Sequence, residues 1–166
     1  MIEPLRPEIR PDDLSDAAVH DLLGEHLRDM ALHSPPESVH ALDLSGLRVP
    51  EISFWTVWGS AADDVAAQNS ILMGCGALKK LSGTEGEIKS MRTAVAHRRC
   101  GAGKAMLTHI LAEARSRGYR RLSLETGTAE VFRPAHALYS AAGFTLCGPF
   151  ANYVADPHSV FMTLRL

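Results

Sequence analysis

The run Arg98-Arg99-Cys100-Gly101-Ala102-Gly103-Lys104 carries the densest potential chemistry in this sequence. Glycines at 101 and 103 let a ligand approach the backbone without Cβ interference. The apolar-periodic segment from Ala105 to Arg117 behind them predicts a helix, whose first turn has amide N–H groups with no intrahelical partner. An anion there would meet aligned amides, the positive end of a helix dipole, and the side chains of Arg98, Arg99 and Lys104. Charge-assisted hydrogen bonds contribute about 1.5–3 kcal/mol each, so a few of them would hold a pyrophosphate.

Known phosphate loops narrow the ligand. The nucleotide-triphosphate pattern G-x-x-x-x-G-K-[ST] fails, because Arg98 stands at its first glycine and Ala105 offers no hydroxyl for Mg²⁺. The dinucleotide pattern G-x-G-x-x-G fails at Met106. What remains is R-x-x-G-x-G, formed by Arg98, Gly101 and Gly103.

Three flanking residues have side chains that can in general carry a proton. Glu87 opens a predicted strand, where a solvated residue after a turn is the plain reading. Glu125 ends a second predicted strand. Tyr139 lies at helical spacing with His136 and Gly143, where a packed tyrosine is the plain reading. His97 and His136 read as hydrogen-bonded structural histidines. Cys100, beside arginines at a helix start, reads as a small loop residue with some thiol reactivity.

These groups must be placed by the rest of the chain. Its 166 residues, 46% hydrophobic, suit one folded domain over 1–166 with a sizeable core. A net charge of −2 argues against a nucleic-acid partner. Cys75, Cys100 and Cys147 are odd in number and lack a C-x-x-C pair, which opposes both a disulfide framework and a zinc site. No metal is expected. Met1 to Arg10 has charges and no apolar run, so no secretory leader is expected, and no window reaches the length of a membrane span. The expected setting is cytoplasmic, without membrane contact.

Apolar spacing and turn residues give the element order. Ile2 to Ile9, broken by prolines, reads as an edge strand. A long amphipathic helix runs to about Leu32 from a cap at Asp12 and Asp13. A second short helix is expected from Ser34 through about Leu42. Strands follow over Ile52–Val57, Ile71–Leu81 and Glu87–Val95, with a hairpin tip at Ser60–Asn69. After the Arg/Gly loop and its helix, which Gly118 stops, come a strand at Arg121–Thr126 and a helix from Pro134 to Gly143. Strands at Phe144–Leu146 and Val160–Leu166 close the chain. The order β-α-α-β-β-β-α-β-α-β-β is α/β or α+β with a mixed sheet.

With its Arg/Gly loop between the fourth strand and the third helix, this order resembles the GNAT superfamily of acetyl-CoA-dependent N-acyltransferases. Glu87-Ile88-Lys89-Ser90-Met91-Arg92-Thr93 is similar to the family's central strand, and Ala137-Leu138-Tyr139-Ser140-Ala141-Ala142-Gly143-Phe144 to its later A-L-Y-x-x-x-G-F segment, about 35 residues beyond the loop. The resemblance implies a sheet splayed to hold acetyl-CoA as cosubstrate. The strand from Met91 through Arg92 to Thr93 would carry the pantetheine on its main chain. Amides from Arg99 through Cys100, Gly101, Ala102, Gly103 and Lys104 to Ala105 would take the pyrophosphate, with Arg98 alongside. It further implies Glu87 as catalytic base, with Glu125 as the rival base, Tyr139 as acid to the CoA sulfur, and a small-molecule or peptide amine as acceptor. A non-catalytic acyl-CoA-binding or regulatory domain is the alternative, and a homodimer is compatible with the family. An asparagine of some relatives, just before the A-L-Y segment, is replaced here by Arg133, Pro134 and His136. His40, Asp43, Trp55, Asp63 and Asp64 are the acceptor-pocket candidates.

Overall fold

A computed structural model describes residues 5–60 and 70–166. One mixed sheet of seven strands runs in the order β1-β2-β3-β4-β5-β7-β6. The strands are β1 (Arg6–Pro11), β2 (Ile52–Ser60), β3 (Ile71–Lys80), β4 (Glu85–Thr93), β5 (Arg121–Gly127), β6 (Thr145–Cys147) and β7 (Ser159–Arg165). The helices are α1 (Ala17–His33), α2 (Leu44–Leu47), α3 (Ala102–Ser116) and α4 (Arg133–Ala141). The first strand lies at the sheet edge, where Pro7 and Pro11 need supply no ladder hydrogen bond on the open side. The expected hairpin tip lies, beyond Ser60 and up to residue 69, outside the described residues. The strands flanking it, β2 and β3, pair antiparallel.

Two helix boundaries differ from the sequence expectation for local reasons. Asp12 and Asp13 cap turns instead of the helix, accepting from the amides of Leu14 at 2.8 Å and Ser15 at 3.0 Å. Leu14 has φ 64, so α1 begins only after Asp16, whose carboxylate accepts from Ala18 N at 2.8 Å. The expected second helix shrinks to a 3₁₀ turn at Pro36–Ser38. Ser38 donates to Asp156 at 2.6 Å, Val39 turns extended, and a fresh start at Asp43, capping Gly46 N at 2.8 Å, opens α2.

Helices cover both sheet faces. On one, Met106, Leu107, Ile110 and Ala114 of α3 and Tyr139 of α4 pack on Leu78, Ile88, Leu122 and Leu124. On the other, Val19, Leu22 and Leu23 of α1 and Leu47 of α2 pack on Phe54, Cys75 and Ala77. Both α3 and α4 end in the same glycine motif. Gly118 and Gly143 take φ 77 and 99, while Tyr119 N bonds Ala114 O at 3.0 Å and Phe144 N bonds Tyr139 O at 3.1 Å.

The sheet opens in its middle. β4 and β5 are parallel, and their register runs from Glu85↔Arg121 only to Ile88↔Leu124. Beyond that pair β4 continues to Thr93 and β5 to Gly127 without pairing each other. A bulge sits at the divergence. Cys75 and Ala77 of β3 oppose Arg92 and Lys89, so β4 takes one extra residue there, and Ser90 adopts φ 52.

Candidate active site

The widening gap between β4 and β5 collects polar side chains on its α1/α2 side. Glu87 is 2% exposed, so it is no solvated strand start. Its Oε1 accepts from Lys89 Nζ at 3.1 Å and from the hydroxyl of Tyr153 at 2.5 Å. Lys89 also donates to Tyr153 Oη at 2.8 Å, closing a triangle. Strand alternation puts Glu87 and Lys89 on one face, with Ser123 opposite Glu87 on β5 and Glu125 just beyond the last paired residue. Burial holds the Glu125 carboxyl above the usual range, and the charge of Glu87 adds to this while Lys89 and His40 oppose it.

Tyr153 comes from the connection between β6 and β7. Its ring lies among His40, Phe150 and Phe161, with centroids 5.1, 5.0 and 5.5 Å away. Burial and the adjacent Glu87 carboxylate push its phenol upward, so it stays protonated. The Ser38–Asp156 hydrogen bond fastens the segment before α2 to this connection.

At the far end of β4, Gly101 caps α3 with φ 83 and no side-chain bond. The first-turn amides of Ala102, Gly103 and Lys104 have no intrahelical acceptor. Ala105, expected to contribute its amide, already gives it to Gly101 O at 2.9 Å, and Arg98 N is directed to Val95 O. Arg98, Arg99, Cys100 and Lys104 are exposed, and Arg99 takes φ 65. A Cβ on Gly103 would lie 3.4 Å from Leu138 Cδ2 and 3.5 Å from Thr93 Oγ1. Thus the end of β4, the start of α3 and α4 meet at this glycine.

Side chains of the expected pantetheine strand are committed elsewhere. Arg92 donates to Asp29 on α1 and lies 3.5 Å from Glu25. Met91 points toward Gly76 and Met106 in the core. Main-chain groups and the Thr93 hydroxyl are therefore what this stretch has to offer a ligand. Tyr139 is 5% exposed and packs edge-on against Phe144 at 5.7 Å. Burial pushes its phenol upward as well. His136 bonds Gly127 O at 2.8 Å, tying α4 to the end of β5.

Of the acceptor-pocket candidates, His40 reaches the gap through Tyr153. Asp43 is a helix cap, Trp55 faces α3 with its ring 4.9 Å from that of His109, and Asp63 and Asp64 lie outside the described residues. Among the described residues no group of three or more His, Cys, Asp or Glu could hold a metal ion. Lys89 and Tyr153 were missed by sequence reasoning. Lys89 follows Glu87 at strand period and so could have been found; Tyr153 sits in an aperiodic connection that nothing in the sequence directs toward Glu87.

The description "Acetyltransferase (GNAT) family" matches residues 19–144. The uncharacterised N-acetyltransferase YsnE of Bacillus subtilis (strain 168) is 52% identical over 158 residues, covering 95% of this chain and 99% of that protein. The IAA acetyltransferase of Azospirillum brasilense is 37% identical over 156 residues, covering 92% and 93%. Among solved structures, an Elizabethkingia anophelis GNAT family acetyltransferase with acetyl-CoA bound superposes with TM-score 0.66 at 18% identity, covering 96% and 98%, a likeness of fold. The split sheet, the open helix start behind β4 and these relatives agree: the chain belongs to the acetyltransferase (GNAT) family.

Proposed function

We propose that residues 1–166 form a single domain that transfers acetyl from acetyl-CoA to a primary amine of a small molecule or peptide, directly within a ternary complex. The observation that carries this reading is the β4–β5 split beyond Ile88 and Leu124, with the buried Glu87 cluster beside it and the free amides of α3 at its far end. An extended, amide-bearing pantetheine suits an unpaired strand edge. The unpaired edge of β4 from Met91 through Thr93 would hold it, and the amides from Arg99 to Lys104, with the cations of Arg98, Arg99 and Lys104, would hold its pyrophosphate. Gly103 leaves that approach free of a Cβ. Acetyl-CoA in the Elizabethkingia relative supports the same donor here.

In this reading Glu87 accepts a proton from the acceptor ammonium through Oε2. The neutral amine attacks the acetyl carbonyl carbon, the N–C bond forms and the C–S bond breaks. Tyr139, kept protonated by burial, gives its proton to the departing thiolate, and the nitrogen sheds its second proton, which restores the Tyr139 phenol through solvent, leaving the amide, CoA thiol and protonated Glu87. Three free cysteines support a reducing compartment, the cytoplasm, as the setting in this reading, and no described helix is long and apolar enough to cross a membrane.

The test is incubation with acetyl-CoA and a panel of amino acids, polyamines, aryl amines and peptides, with products followed by mass. An acetylated amine is expected. Saturable acetyl-CoA binding with no acetylated product would favour a non-catalytic acyl-CoA-binding domain instead.

A further inference from the structure

Glu87 is the proton acceptor in the reading above, and the inference here rests on that reading. We propose that Tyr153 is the positioning residue of the acceptor side: with Lys89 it holds the Glu87 carboxylate by one oxygen and leaves the other free for the incoming ammonium. Three observations carry this. First, among the described residues, both side-chain hydrogen bonds to Glu87 fall on Oε1, from Lys89 at 3.1 Å and Tyr153 at 2.5 Å, and Oε2 is left for substrate. Second, the side chains of Glu87 and Lys89 are only 3% and 9% exposed, so water cannot replace a lost donor fully. Third, Tyr153 is itself held from several sides. His40, Phe150 and Phe161 pack around its ring, the Lys89 ammonium lies 5.6 Å from the ring centroid, and the Ser38–Asp156 bond secures its connection.

A carboxylate buried without donors would favour its protonated form, which cannot accept a proton. Hydrogen bonds from a neutral phenol and an ammonium favour the ionised form. Among the described residues, the titratable or charged groups facing Glu87 are Lys89 from β4, Glu125 from β5 and Tyr153 from the β6–β7 connection, with His40, from the segment before α2, behind Tyr153 and near Glu125. Of these, Tyr153 alone contributes a donor without a charge of its own. Its removal therefore changes the hydrogen bonding of Glu87 and leaves the charge count of the site intact.

The experiment joins a stability cycle to a pH profile. Unfolding of wild type, Tyr153→Phe, Glu87→Met and the double variant is measured by denaturant titration; the two losses should not add, because each single change already breaks the same bond. Turnover is measured with acetyl-CoA and spermidine, glycinamide and phenylethylamine as amine probes. In Tyr153→Phe the acid limb of kcat should move up by about one pH unit, a tenfold change in the proton equilibrium, with acetyl-CoA affinity by calorimetry unchanged. Lys89→Met should move the same limb in the same direction. Additive stability losses would overturn the contact. Coupled losses with an unmoved acid limb would overturn the positioning role and leave the transferase reading standing. Wild type that acetylates none of the probes while the cycle shows coupling would overturn the role of Glu87 as base, and the positioning role with it.

Discussion

Arg92 on β4 and Asp29 on α1 are joined by a hydrogen-bonded ion pair of 2.5 Å, with the guanidinium 7% exposed and the carboxylate 31%. The contact fastens the helix that covers one face of the split sheet to the strand that forms one wall of the split. It holds the Asp29 carboxyl below its ordinary range, chiefly through the Arg92 hydrogen bond. Arg92→Leu should lower unfolding free energy by about 2 kcal/mol and speed amide exchange along α1, since hydrogen bonds to charged groups contribute ~1.5–3 kcal/mol. A loss within roughly 0.5 kcal/mol in denaturant titration, as for an ordinary surface change, would dismiss the anchor.

His26, one turn earlier on α1, gives the fold an acid sensitivity. Burial, and then the positive charge of Arg92, lower its ring from 6.5 to about 4. The unfolded chain therefore binds more protons than the folded one in that window. Stability attributable to His26 is complete above about pH 6.5, falls as pH drops toward 4, and is lost by about 3 kcal/mol below it. His26→Leu should flatten this slope. The loss of Asp29 should appear only at lower pH, as acid titrates a carboxyl held below 3.8. A wild-type stability curve flat from pH 6.5 to 4 would contradict the assignment.

Gly103→Glu separates folding from cofactor binding. The new Cβ would meet Leu138 and Thr93 at 3.4 and 3.5 Å, ordinary contact distances, so the fold should persist. Its carboxylate would enter the cluster of free α3 amides and repel a pyrophosphate. Calorimetry should show acetyl-CoA binding abolished with circular dichroism unchanged; retained affinity would remove the loop from the donor site.

Tyr139→Phe keeps the ring against Phe144 and deletes only the hydroxyl. We expect kcat to fall about 10²-fold, the lower range for general acid–base catalysis, with acetyl-CoA affinity unchanged. Product should be followed by mass, because a cysteine lies in the loop. An unaltered kcat would reduce Tyr139 to a packing residue.

The three cysteines should react in a fixed order. Cys100 is exposed, Cys147 is half-buried with its thiol raised by burial, and Cys75 is buried with its thiol pushed up to about 12. A maleimide should modify Cys100 first, and saturating acetyl-CoA should slow that step alone. Peptide mapping checks both; equal labelling with and without acetyl-CoA would move the pyrophosphate away from Cys100.

What the sequence determined was local. Gly118 and Gly143 stop α3 and α4 because both ends need a left-handed residue, and the α3 face is written in Met106, Leu107, Ile110 and Ala114. The Arg/Gly loop was legible as a helix start, with Gly101 as the left-handed cap of α3 and Gly103 in its first turn. The limits were also local: Asp12 and Asp13 have the composition of a helix cap, and only the left-handed Leu14 behind them sends the cap to Asp16. Tertiary structure decided the rest. The split after Ile88 and Leu124 depends on where two strands part, a property of the sheet that neither strand encodes alone. Glu87 could be read as exposed or buried until Lys89 and Tyr153 closed around it. Tyr153 reaches Glu87 across 66 positions of chain, and no periodicity spans that distance; the meeting is fixed by β7 lying between β5 and β6, which carries the connection over the gap.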